Sequence, residues 1–178
     1  MSAWRTGGSR PARDSMIRVD QAGEYGATRI YAGQLAVLRN TAPETKLIAR
    51  MASQEERHLK RFDQLMAERR VRPTLLQPFW DVAGFALGAA TALMSEKAAL
   101  ACTDAVETEI DRHYGEQLAE IGDEDPELSA TIAEFQAEEL EHRDSARGAG
   151  AAEALGYPLL TAAIRAGCRA AIALSKRI

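Results

Sequence analysis

The chain has 178 residues, 46% of them hydrophobic and 6% aromatic, with a formal net charge of -4. That length fits one domain with a real core, the Ala- and Leu-rich mix favours an all-α protein, and the negative balance argues against a nucleic-acid partner. Two cysteines, Cys102 and Cys168, without a CxxC exclude a disulfide framework and a zinc ribbon.

Residues 1–15 are rich in Gly, Ser, Pro and Arg, lack the apolar stretch of a secretory signal, and read as a disordered tail. A single domain follows over residues 16–178. The periodicity predicts a first helix over about 16–38, with a seam through Glu24, Thr28, Tyr31, Leu35 and Leu38. Asn40-Thr41-Ala42-Pro43 reads as a loop leading into a helix, with Pro43 in its first turn. The second helix, about 44–69, has the seam Ile48, Met51, Glu55, His58, Phe62 and Leu65. Glu55 and His58 occupy core positions there, where a purely structural helix would place Leu.

Residues 75–94 run from Leu75-Leu76-Gln77-Pro78-Phe79-Trp80 into a Gly- and Ala-rich apolar stretch. They predict a helix apolar over much of its circumference, and its longest uncharged run, Val82 to Met94, is too short to span a bilayer. A third bundle helix, about 95–122, has the seam Leu100, Thr103, Glu107, Ile110, Tyr114 and Ile121. Asp125-Pro126 starts a fourth, running to about 146, through Leu128, Ile132, Phe135, Glu139, His142 and Ala146. A last helix, about 159–175, sets basic residues beside Leu160, Ile164, Cys168 and Ile172.

The polar seam residues repeat. Glu24 and Glu107 are 83 apart, and Glu55 to Glu139 and His58 to His142 are both 84. Tyr31 follows Glu24 by seven residues, as Tyr114 follows Glu107. Seven residues is two helical turns, so each tyrosine shares its carboxylate's face. The chain reads as two helical hairpins of one design joined by the apolar segment.

One ExxH is a weak signal. Four carboxylates and two imidazoles on four apolar seams are not, because burying unpaired carboxylates is costly and no Lys or Arg lies on these seams. Bound cations are the simplest remedy, and this donor set suits iron or manganese. A Glu from each of two helices plus Glu-x-x-His from each of the others is the ligand set of ferritin-like dinuclear carboxylate proteins. In that arrangement Glu24, Glu55 and His58 hold one metal, Glu107, Glu139 and His142 hold the other, and Glu55 and Glu139 bridge. Glu56, Glu109, Glu138 and Glu141 read as solvated or as outer neighbours.

Longer stretches carry a resemblance. They are Ile17-Arg18-Val19-Asp20-Gln21-Ala22-Gly23-Glu24-Tyr25-Gly26-Ala27, Ile30-Tyr31-Ala32-Gly33-Gln34, Val71-Arg72-Pro73-Thr74, Gly84-Phe85-Ala86-Leu87-Gly88-Ala89, Ala101-Cys102-Thr103, Glu138-Glu139-Leu140-Glu141-His142 and Ala166-Gly167-Cys168-Arg169. Over residues 16–178 the sequence resembles the demethoxyubiquinone hydroxylases of ubiquinone biosynthesis. The resemblance implies a ferritin-like four-helix bundle with an added amphipathic membrane-interface segment and a C-terminal helix. It implies two iron ions and an O2-dependent monooxygenase that hydroxylates the benzoquinol ring of 3-demethoxyubiquinol.

His113 and Tyr114 match a family His-Tyr pair near the site, candidates for proton or electron transfer; six residues from Glu107 rotates His113 off the seam. No GxGxxG or flavin motif is present, so electrons come from an external reductant, NADH or the bound quinol. The long-tailed substrate implies a peripheral membrane protein, at the cytoplasmic face of a bacterial inner membrane or the matrix side of the mitochondrial one. Segment 75–94 and the basic last helix are its candidate contacts, and the same surface would serve a homodimer or a lipid-binding partner. The rival readings are a ferritin-like ferroxidase or peroxidase, and a non-enzymatic quinone- or lipid-binding scaffold.

Overall fold

The computed structural model describes residues 10–39 and 42–177. It contains six α-helices: α1 Arg10–Val37, α2 Pro43–Arg69, α3 Gln77–Met94, α4 Glu96–Ile121, α5 Pro126–Gly148 and α6 Tyr157–Ser175. A short 3-10 turn, Ala151–Glu153, precedes α6, and no strand occurs among the described residues. α1 and α2 form one hairpin, α4 and α5 the other, and α3 links them.

The helix ends follow local chemistry. Pro43 sits in the first turn of α2, and Arg70 leaves that helix with φ 58, its N–H donating to the Ala67 carbonyl and the Val71 N–H to that of Met66. Ser95 caps α4 by accepting from the Ala98 N–H at 3.0 Å. Asp125 caps α5 by accepting from Leu128 N–H at 3.2 Å, and also accepts from Arg69 Nη2 at 3.0 Å, which pins the end of α2 to the start of α5. The loop reading of Asn40 and Thr41 lies outside the described residues.

α1 starts at Arg10, six residues earlier than its hydrophobic pattern predicts. Residues 10–15 are therefore helical and not part of a loose tail, while the tail reading of residues 1–9 lies outside the described residues. Tertiary contacts overrule composition here. Arg13 Nη1 donates to Glu124 Oε2 at 3.2 Å, and Met16 is buried among Phe62, Leu65 and Tyr114.

α3 packs along α1 with the two backbones almost touching. A Cβ on Gly33 would come within 2.1 Å of the Phe85 carbonyl oxygen, and one on Gly88 within 1.9 Å of that of Ile30. Only glycine permits this approach. The far side of α3 leaves Leu75, just before it, and Phe79, Val82, Leu93 and Met94 exposed. Because α3 covers its outer flank, α1 buries two faces, and Thr28 and Leu35 on the drawn seam are only half-buried while Asp20 and Gln34 are buried.

The core lies in two apolar layers. One contains Ile17, Phe62, Leu65, Leu128, Ile132 and Phe135; the other contains Ala27, Leu38, Ile48, Met51, Leu100 and Ala146. Along α2, Glu55 and His58 fall between Met51 and Phe62; along α5, Glu139 and His142 fall between Phe135 and Ala146. A buried polar layer is thus sandwiched between two apolar ones.

Candidate metal centre

Each bundle helix sends inward the residues that its seam predicted. Glu24, Glu55, His58, Glu107, Glu139 and His142 are all 1% exposed or less. Oxygens and nitrogens of Glu24, Glu55, His58 and Glu139 lie within 4.8 Å of one another, and so do those of Glu55, Glu107, Glu139 and His142. The two groups share Glu55 and Glu139.

The imidazoles face inward through Nδ1. His58 Nδ1 is 3.0 Å from Glu139 Oε1 and 3.4 Å from Glu24 Oε2. His142 Nδ1 is 3.1 Å from both Glu55 Oε1 and Glu139 Oε2. Their outer nitrogens are engaged. His58 Nε2 is 3.1 Å from Glu138 Oε2, and His142 Nε2 is 3.2 Å from Gln54 Oε1. Gln54 Nε2 in turn donates to Glu138 Oε2 at 3.3 Å, so one outer network orients both rings. A proton held on each Nε2 leaves the Nδ1 lone pair for a metal. Phe135 stacks on His58 at 4.0 Å between centroids and fixes its plane.

The two tyrosines cross between the halves. Tyr31, on the first hairpin, donates to Glu107 Oε1 at 2.8 Å, and Tyr114, on the second, donates to Glu24 Oε1. Each therefore holds the carboxylate of the opposite hairpin.

Without a cation the site is electrostatically frustrated. Burial, then the neighbouring carboxylates Glu139, Glu24 and Glu107, push the Glu55 carboxyl well above its ordinary range. Burial and Glu139 do the same to Glu107, and burial raises Glu139. Burial and nearby carboxylates raise both tyrosines. Burial would lower His58, but the adjacent carboxylates Glu139 and Glu24 outweigh it and lift the ring to about 11. His142 is held low by burial. Glu24 Oε2, both Glu55 oxygens, Glu107 Oε2, Glu139 Oε1 and His58 Nδ1 lack hydrogen-bond partners. Six unsatisfied polar atoms converging in a buried core are a donor set that could hold metal ions.

His113 does not join this group. It is buried, and its Nε2 lies 3.4 Å from Asp20 Oδ1 of α1. Glu109 is buried as well, against the reading that placed it in solvent. Its Oε1 accepts from Arg165 Nε and Arg169 Nη1, both at 2.7 Å, and its Oε2 from Arg112 Nε at 3.0 Å. Burial pushes this carboxyl up, yet the guanidiniums win and hold it below its usual value. Glu138 is half-buried and acts as the outer partner of His58.

Beside the centre, between α1, α3, α4 and α6, lies an apolar cavity of about 260 Å³. Ala27 and Val106 lie in its wall, each next in helical rotation to the metal-group residues Glu24 and Glu107.

The family model "Ubiquinone biosynthesis protein COQ7" matches residues 11–175. The chain belongs to this family. Among its relatives is the 3-demethoxyubiquinol 3-hydroxylase of Rhodospirillum rubrum, 54% identical over 165 residues, covering 93% of this chain and 78% of that one. The mouse protein named NADPH-dependent 3-demethoxyubiquinone 3-hydroxylase, mitochondrial, is 53% identical over 173 residues, 95% and 79% of the two chains. The Caenorhabditis elegans protein of the same name is 40% identical over 178 residues, 97% and 95%. The family bundle is ferritin-like, and among the described residues no helix is long and apolar enough to cross a membrane.

Proposed function

We propose that this protein is a 3-demethoxyubiquinol 3-hydroxylase, an O2-dependent monooxygenase of ubiquinone biosynthesis built on a dinuclear iron centre. One observation carries the reading: two overlapping four-residue metal groups share Glu55 and Glu139 in the dry core of a chain belonging to this family. Glu24 and His58 would complete the donor set of one ion and Glu107 and His142 that of the other, with Glu55 and Glu139 common to both. When bound, two iron ions would activate O2 for transfer of one oxygen atom to the ring.

The chain's own residues do the rest. Tyr31 and Tyr114 fix Glu107 and Glu24, and the Gln54–Glu138 network fixes both imidazoles, so the donors are held before any ion arrives. The apolar layers exclude water from the reacting centre. The cavity gives an apolar substrate a route between α1 and α4, toward the Glu24 and Glu107 side. Exposed Leu75, Phe79, Val82 and Leu93, with Leu155, Leu159 and Leu174 about α6, form the surface that meets the membrane or a lipid-binding partner. Such a peripheral protein works at a bacterial inner membrane or the mitochondrial one. The reductant is an external nicotinamide; the mouse relative is named NADPH-dependent.

The test is direct. Purified protein is analysed for metal, then given 3-demethoxyubiquinol, reductant and 18-O2. Two irons per chain and label in the new ring hydroxyl are the expected results. One zinc, no metal, or an unlabelled product would overturn the assignment.

A further inference from the structure

The buried centre is shielded unequally on its different sides. Toward either end of the bundle lie the two apolar layers. α3 and α6 pack on α1 and α4 and cover that flank. The flank between α2 and α5 has no helix over it, and the two backbones stand apart along it. At the level of the metal donors, polar side chains close this seam: Gln54 and Arg57 from α2, and Glu138 from α5.

One atom is the hub of the closure. Glu138 Oε2 accepts from Arg57 Nη2 at 2.9 Å and from Gln54 Nε2 at 3.3 Å, and it lies 3.1 Å from His58 Nε2. Gln54 Oε1 lies 3.2 Å from His142 Nε2. The Gln54–Glu138 pair thus spans the outer edges of both imidazoles, whose centroids are 6.4 Å apart. Solvent begins directly outside this layer. The Glu138 side chain is 22% exposed and that of Arg57 58%, whereas both rings behind them are buried.

An ion has to reach the centre from water. Through either apolar layer, or through the largely apolar cavity beside α1 and α4, a divalent cation would shed its hydration with little in return. Across the α2–α5 seam it meets a carboxylate at the surface and the imidazole and carboxylate donors just behind. Gln54, Arg57 and Glu138 are long side chains that change rotamer rapidly, with no helix having to move.

We propose that Gln54 and Glu138 form the gate through which metal ions reach the centre, and that Arg57 is its latch. The arriving cation displaces the guanidinium from Glu138, Gln54 swings aside, and the ion passes inward. The proposal rests on the metal-centre reading above. It gives the centre two entrances, a polar one for ions between α2 and α5 and an apolar one for substrate beside α1 and α4.

The experiment follows Co(II), which such donors bind, by its visible absorption. Uptake by the metal-free full chain and release from the loaded chain into excess chelator are timed by stopped flow, and affinity is titrated separately. Arg57 is exposed, so its variants should fold normally. Arg57→Gln should speed uptake several-fold, and Arg57→Glu by about tenfold at low salt with the gain shrinking at high salt. Arg57→Gln should also speed release, because a latch sets the barrier in both directions. Faster uptake with unchanged release would make Arg57 a rim charge and overturn the latch. Gln54→Ala should speed uptake even though it weakens affinity by about 10–100-fold by freeing His142. A Gln54 that only orients His142 would weaken affinity without speeding entry, and that result would overturn the gate. Wild-type uptake rates in both Arg57 variants would do the same. Wild-type protein that binds no Co(II) would overturn the metal-centre reading itself.

Discussion

Glu55→Met should stabilise the metal-free protein while destroying its metal site. Glu55 is fully buried, and neither of its oxygens has a hydrogen-bond partner. Burial and three neighbouring carboxylates push it toward the neutral form, so the folded metal-free chain must hold a proton that water would otherwise take. Methionine is unbranched, adaptable and apolar. The change removes no hydrogen bond, because His142 Nδ1 keeps Glu139 Oε2 at 3.1 Å and neither Glu55 oxygen has a hydrogen-bond partner to strand. Exchanging a buried ionic group for a well-packed apolar one is worth about 1–4 kcal/mol. For a chain of this size that is a rise in Tm of about 2–16 °C. Thermal unfolding followed by circular dichroism, in chelator and then in excess Fe(II) or Mn(II), measures it. The wild type should gain stability with metal by mass action, and the variant should gain almost none. A metal-free variant less stable than metal-free wild type would refute the reasoning, since Glu55 would then be a structural carboxylate.

The pH dependence of the metal-free form follows from the same frustration. Glu55, Glu107 and Glu139 have raised folded pKa values, so their contribution to stability is full below about 4.5 and is lost as pH rises through the folded values. His58, lifted to about 11, adds in the same sense between 6.5 and 11, whereas His142, held low, opposes it only below about 6.5. Between about pH 6.5 and 9 the metal-free Tm should fall with rising pH, and metal affinity should rise; parallel trends would contradict this. Tyr114→Phe should cost about 0.5–1.5 kcal/mol of stability and weaken metal retention, read by metal content after dialysis, because Glu24 loses the hydrogen bond from the Tyr114 hydroxyl. Gly88→Ala should lower Tm by several degrees, since its Cβ would fall 1.9 Å from the Ile30 carbonyl oxygen and force α3 off α1. Glu109→Leu should loosen α6 by freeing Arg165 and Arg169, costing about 1–3 kcal/mol after allowance for their half-exposed side chains, and faster amide exchange in α6 checks it.

The convergence of the six residues of the candidate centre was legible because each interrupts an apolar seam, and because an 83- or 84-residue repeat brings Glu24 and Glu107 in with the two ExxH pairs. Seams report only the face toward the bundle axis. α4 is buried nearly all round from Ala98 to Glu107, because α6 and the 3-10 turn pack on its outside, and no single stripe describes it. Glu109 was misread for that reason: it points away from the axis, into the arginines of α6. His113 lies off the seam, as its spacing predicts, yet it is buried against Asp20 of α1, a contact that periodicity along α4 does not report. The tyrosines sit at the predicted register, yet spacing along one helix could not reveal that each reaches across to the other hairpin's carboxylate.

That crossing has a consequence for how such a molecule arises. A single hairpin of this design carries three metal donors and one tyrosine whose hydroxyl serves someone else's glutamate. Alone it is incomplete; beside a second copy turned through half a circle it is complete, and so is the copy. The 83- and 84-residue spacings, with α3 between the two hairpins, are the pattern that a duplicated hairpin joined into one chain would leave. In the present chain the same reciprocity ties the two halves together, because each holds the other's carboxylate through a tyrosine hydroxyl.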